Sequence, residues 1–250
     1  MTADLRRPGT TTRPDGAGAV LDWRWPQAGR VVMVVTDRSQ VPPGRDLVDV
    51  VAAALEGGTH AVLARERDLP GEQRRTLVAA LSALCTSAGA ALLVSGPVPA
   101  GVPVSGIHLA RDEPVPRTGQ GRLHAGPLVG RSCHDLPELL RAGRERLDHV
   151  TLSPVAATAS KPGYGPALRP EGLRELLTAL HDGQDLPVPR VLALGGVDPT
   201  NAGRWVEAGA DGVAVMGAVM RSSDPAETVR RVVRALDMAA PIAALKGLDR

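Results

Sequence analysis

The feature that most constrains this chain is a train of eight short apolar runs strung from Val31 to Met216: Val31–Thr36, His60–Ala64, Ala90–Ser95, Gly106–Leu109, Pro127–Ser132, His149–Ser153, Val188–Leu194 and Gly212–Met216. Each run has strand length, and most lack the strict polar alternation of a sheet with one wet face. That is the pattern of parallel strands buried on both faces. The segments between them carry helix signals. Asp46 stands where it can cap a helix that puts Leu47, Val50, Val51, Ala54 and Leu55 on one face and ends at Gly57. Leu77, Leu81 and Leu84 share a face of a second helix. Asp198-Pro199 and Asp224-Pro225-Ala226-Glu227 each offer a cap with proline at the first helical position, and Val229, Val232, Val233 and Leu236 follow the latter at helical spacing. Residues 111–121, with Pro114, Pro116 and Gly119, read as loop.

Eight strands alternating with helices in a chain of 250 residues predict a closed (β/α)₈ TIM barrel, which uses every strand. A doubly wound open sheet is the alternative. It is disfavoured because Thr36-Asp37-Arg38-Ser39 lacks the glycines of a dinucleotide turn. Residues 1–29 read as a flexible N-terminal tail, with Trp23 and Trp25 packing at the barrel's bottom. Residues 30–238 form the barrel, and 239–250 a C-terminal tail.

Composition narrows the partners. Aromatic residues are 2% of the chain and Phe is absent, so the core is aliphatic and stacking platforms for single-stranded nucleic acid are missing. A net charge of +2 without a Lys/Arg block argues against nucleic-acid or membrane surfaces. The two cysteines, Cys85 and Cys133, read as reduced thiols. No apolar run reaches membrane-spanning length and the tail lacks the apolar stretch of a secretory signal, so the expected location is cytoplasmic. The expected partners are small phosphorylated substrates, and a homo-oligomer is compatible with the sequence.

In a barrel the chemistry sits just after each strand. Gly195-Gly196 after the seventh run and Gly217 after the eighth suit a phosphate held by backbone N–H groups, or simply tight turns. At the end of the second run, period two points Arg65 and Arg67 to one side and Glu66 to the other. Two converging guanidiniums would suit a phosphate or pyrophosphate, whereas a Glu66 bridge would make a solvated loop. The loop 153–165 after the sixth run is long and carries Thr158, Ser160 and Lys161, either functional or an insertion. His134, after Gly130-Arg131-Ser132-Cys133, is a candidate acid or base, or a helix-start residue; His108 carries the same alternatives. Adjacent in sequence, Cys133 and His134 make a poor nucleophile pair. No cluster has zinc-ligand spacing.

Taken in order, Arg65-Glu66-Arg67, His108-Leu109, Gly130-Arg131-Ser132, Thr158-Ala159-Ser160-Lys161 and the stretch Pro189–Ala218 resemble the thiamine phosphate synthase family, which includes a thiazole tautomerase branch. The resemblance runs from about Val31 to Leu236. It implies that Gly195, Gly196 and Gly217 hold a thiazole phosphate. It implies also that Arg65, Arg67, Ser132 and Lys161 face the pyrophosphate of an aminopyrimidine, with Thr158 and Ser160 at the junction. The implied reaction joins the two and releases pyrophosphate with magnesium assistance; Arg65, Lys161 and His134 are the candidate catalytic residues. The chain departs from the family pattern at several positions. Leu63 stands for a Gln, Arg67 for a Lys, Gly217 for a Ser, and Ser95-Gly96 for an Asn-Asp that supplies a magnesium ligand. Glu113, five residues after His108, and Asp112 are the remaining candidate ligands. The expected activity is that of a divergent synthase, with a tautomerase acting through His134 as the alternative, and a non-catalytic phospholigand binder as the third reading.

Overall fold

The computed structural model describes residues 23–26, 30–116, 128–157, 167–182 and 187–239, together with the backbone of residues 10–11 and 20–21. Eight parallel strands close into a barrel: β1 (Val31–Val35), β2 (Ala61–Ala64), β3 (Ala91–Ser95), β4 (Gly106–Leu109), β5 (Leu128–Cys133), β6 (His149–Leu152), β7 (Arg190–Leu194) and β8 (Gly212–Val215). Each hydrogen-bonds to its sequence neighbours, and β8 returns to β1 through Gly212 opposite Val31. This is the (β/α)₈ barrel expected from the apolar runs, with strand ends shifted by a residue or two. The two-residue pairs Thr10–Thr11 and Val20–Leu21 form a separate antiparallel ladder.

The helices are α1 (Leu47–Glu56), α2 (Gly71–Ala88), α3 (Leu136–Arg144), α4 (Arg169–Asp182), α5 (Ala202–Glu207), α6 (Gly217–Met220) and α7 (Pro225–Met238). Asp46 caps α1 through Val48 N–H at 2.7 Å. Asp224 caps α7 through Glu227 N–H at 2.9 Å, but Glu227 does not reach back as a full capping box would; its carboxylate takes Arg230 and Arg234 instead. Asp198 accepts from Thr200 N–H at 2.7 Å, which makes a turn, so α5 starts at Ala202 and not at Pro199. After β3 and after β4 the described residues contain no helix. None of the described helices is long and apolar enough to cross a membrane.

The side-chain period of two divides the core into two layers. Val32, Val34, Val62, Ala64, Leu92 and Val94 face the helices. Val31, Met33, Val35, Ala61, Leu63, Leu93, Leu192 and Ala214 fill the barrel interior together with Trp25. Trp25 is nearly buried at the base, edge-on to Trp23 at 4.9 Å and to His149 at 5.1 Å. Cys85 and Cys133 are free, buried in the helix-facing layer, and burial pushes both thiols up to about 12. Neither is a nucleophile at neutral pH.

Candidate functional site

The barrel interior is apolar on the β7, β8, β1 and β2 side and polar on the β4 to β6 side. His108 of β4 is buried, with Nδ1 3.1 Å from His149 Nε2 and Nε2 3.2 Å from Ser132 Oγ and 3.3 Å from Thr151 Oγ1. Burial, and then the nearby Arg131 charge, push His108 down to about 3; burial, and then His108, push His149 well below the ordinary range. Both rings are therefore neutral at physiological pH, and each can donate from only one nitrogen. Gly130 makes the pair possible, because a Cβ there would lie 2.1 Å from His149 Nε2.

Above this floor, at the C-terminal ends of the strands, lies a cavity of about 550 Å³ to which every strand contributes lining residues. Arg65, Arg67, Ser132, His134, Gly195, Gly196 and Gly217 all line it. Thr158, Ser160 and Lys161 lie outside the described residues, although Pro154 and Ala157, at the start of their loop, line the same cavity.

Arg65 is oriented at both ends. Its N–H donates to Thr36 Oγ1 at 3.0 Å and its guanidinium reaches Met216 Sδ at 3.6 Å. Glu66 is buried and turned away, accepting from the backbone and side chain of Arg38 at 3.1 and 2.9 Å, so it does not bridge Arg65 to Arg67. Buried Arg74 of α2 ties the ends of two strands together, donating to Glu66 O at 3.2 Å and Ser95 O at 2.8 Å.

On the opposite wall, Gly195 and Gly196 both have positive φ (95° and 67°), a conformation costly for other residues. The loop after β6 lies against them: Val155 N–H donates to Leu194 O and Ala156 N–H to Gly195 O, each at 3.0 Å. Asn201 pins the turn from below, donating to Gly196 O at 2.8 Å while its Oδ1 accepts from Asp198 N–H at 3.0 Å and Trp205 Nε1–H at 3.2 Å.

His134 precedes α3 and does not cap it. Asp135 is the cap, and Glu138 returns a bond to His134 N–H at 2.7 Å. The ring lies on the cavity wall with Nδ1 2.7 Å from Ser153 O. A carbonyl can only accept, so Nδ1 carries the proton and ligand chemistry would run through Nε2.

The residues left for a magnesium ion do not fit one. Glu113 does not line the cavity; its Oε2 accepts Ala110 N–H at 3.0 Å and lies 3.7 Å from Arg67. Asp112 is 81% exposed, outside the cavity lining, with Arg111 and Arg141 each 3.9 Å away. Among the described residues no three His, Cys, Asp or Glu converge.

Four residues with a part in this site escape a reading of the sequence. Arg111 and Arg221 line the cavity, Asn201 braces the glycine turn, and Arg131 anchors the β4–β5 loop. For Asn201 a signal existed in its position five residues after Gly196 at a helix start; for Arg131 there was none.

A closed barrel whose arginine-rich cavity sits at the C-terminal strand ends defines the class, a (β/α)₈-barrel protein with a site suited to anions. The family model described as thiamine monophosphate synthase matches residues 32–219, and the chain belongs to that family. It is 34% identical over 210 residues to the thiamine-phosphate synthase of Roseiflexus castenholzii, covering 82% of this chain and 88% of that one. It is 33% identical over 207 residues to that of Methanoculleus marisnigri, covering 81% and 93%. The solved thiamine phosphate pyrophosphorylase of Pyrococcus furiosus superposes with a TM-score of 0.67 at 25% identity, covering 83% of this chain and 95% of that one.

Proposed function

We propose that this protein is an enzyme of thiamine biosynthesis, a divergent thiamine phosphate synthase-like transferase. It would bind a thiazole phosphate and join it to an aminopyrimidine methyl pyrophosphate, releasing pyrophosphate. The observation that carries this reading is the pairing, in one cavity, of Arg65 and Arg67 with the turns at Gly196 and Gly217. Backbone N–H groups at the turns hold the thiazole phosphate. The two arginines, with Ser132 and Lys161, draw off the electron pair as the carbon–oxygen bond to pyrophosphate breaks. The family resemblance assigns Thr158 and Ser160 to the junction. The apolar wall of Leu63, Leu194 and Met216 keeps water from the pyrimidine cation.

Turnover with both substrates tests this. Gly196→Val should weaken thiazole phosphate binding by about tenfold to a hundredfold, the worth of one or two charge-assisted hydrogen bonds. A Cβ at Gly196 would also meet Ala157 O at 2.4 Å and displace the loop, so calorimetry is to be paired with a melting curve. Unchanged affinity would remove the turn from the site.

The ring of His134 on the cavity wall favours a second reading, a thiazole phosphate tautomerase in which Nε2 shuttles the proton. In that case His134→Asn abolishes isomerisation and leaves phosphate binding nearly intact. In a synthase it costs less turnover than Arg65→Ala. Binding without either turnover would leave a phospholigand binder.

A further inference from the structure

We infer that this cavity holds a diphosphate on guanidinium groups alone, with Arg67 and Arg221 doing what a divalent metal would otherwise do. The inference deepens the reading above, from which it takes its anionic substrate, and it starts from the misfit between that reading and the carboxylates present.

Two glycines carry the argument. At Gly96, a Cβ would lie 3.2 Å from Arg67 Nε and 3.7 Å from its Cζ. At Gly217, a Cβ would lie 2.4 Å from Arg221 Nη1 and 2.8 Å from its Cζ. Each guanidinium thus rests in space that exists because its neighbour has no side chain, and both line the same cavity. Arg65 spans the gap between them, from the end of β2 across to Met216 beyond β8. The three form an arc along the rim, Arg67 on the β3 side and Arg221 on the β8 side.

Charge points the same way. Among the described residues, the cavity lining includes Arg65, Arg67, Arg111 and Arg221 against a single carboxylate, Asp198, whose Oδ1 is engaged by Thr200. Arg111 is ion-paired with Glu138 and Arg67 lies 3.7 Å from Glu113, but the lining still carries an excess of permanent positive charge that a polyanion would relieve. A divalent cation bound beside the arc would add to that positive charge, and Glu113 already shares its charge with Arg67 at 3.7 Å. Guanidinium forks match phosphate oxygens two at a time and stay charged at all relevant pH values. A diphosphate presents enough oxygens to engage the arc at more than one point. Gln40 Oε1 accepts from Arg221 and leaves its charge intact, because an amide oxygen is neutral.

The experiment is calorimetry of inorganic pyrophosphate on the full chain, in EDTA and then in excess magnesium chloride. The affinity in EDTA should lie within about threefold of that in magnesium. Arg67→Ala and Arg221→Ala should each weaken binding in EDTA by about tenfold. Both side chains are largely exposed, so folding is retained and is checked by the melting temperature. Gly217→Val, which occupies the guanidinium's seat, should reproduce the Arg221 loss. Pyrophosphate binding that appears only with magnesium overturns the inference, as do arginine variants that bind unchanged, or no binding in either buffer. If turnover persists while pyrophosphate needs magnesium, the synthase reading stands and this one fails. Metal-free binding without turnover is the reverse case.

Discussion

Replacing Arg131 by alanine is expected to cost about 3–5 kcal/mol, the range for breaking a buried charge network from one side. Arg131 is the largest fully buried side chain, 1% exposed, and it sits on the helix-facing side of β5. Its Nη1 donates to Arg111 O at 2.8 Å and Glu113 O at 2.7 Å, and its Nη2 to Glu145 at 2.8 Å. Removing it leaves the part-buried carbonyls of Arg111 and Glu113 without their donor and Glu145 without its partner. Since a domain of ordinary stability has only about 5–15 kcal/mol in hand, urea denaturation should show most of the protein's margin gone. The same change frees the loop that carries Arg111, so pyrophosphate affinity should fall in parallel. Arg131→Lys keeps the charge but not the fork, and an intermediate loss is expected. A cost below about 1 kcal/mol, the worth of an ordinary surface change, would show that the guanidinium is not the anchor.

The second large effect is acid sensitivity beginning near pH 6.5. His108 is held to about 3 in the folded barrel against an ordinary value of 6.5, first by burial and then by Arg131. Between those values the unfolded chain binds a proton that the folded one refuses. The contribution is therefore fully present above about pH 6.5 and is lost as pH falls toward 3, by up to about 1.4 kcal/mol per pH unit. By about pH 5 His108 alone should remove roughly 2 kcal/mol. His149 and His60, both lowered chiefly by burial, act in the same direction. Carboxylates do not mimic this window, since Asp37, Asp68 and Glu227 are also lowered and lose their partners only at still lower pH. Urea midpoints from pH 7 to 5, with proton uptake on unfolding, measure the slope. A flat profile, or a His108 ring signal titrating near 6.5, would contradict it.

Features governed by neighbours along the chain were legible from the residues alone. Apolar runs of strand length marked all eight strands, because burial on both faces leaves no other composition. Period two placed Arg65 and Arg67 together and sent Glu66 away. Asp46 and Asp224 announced their helices because a cap acts within three residues. The glycine turns were visible because positive φ is a local demand.

Other features depend on barrel closure. His108 and His149 are 41 residues apart, yet their rings meet at 3.1 Å because barrel closure points His108 of β4 and His149 of β6 into the same interior. Nothing local distinguishes an arginine that will be buried, so Arg131, although part of the Gly130-Arg131-Ser132 motif, shows its anchoring role only once the helices enclose it. The family resemblance nominated Glu113 for a metal, but Arg131 folds that loop so that Glu113 turns back onto Ala110 N–H. Arg221 lays its guanidinium where a Cβ on Gly217 would meet it, a pairing of a charge with an absence that no residue preference records.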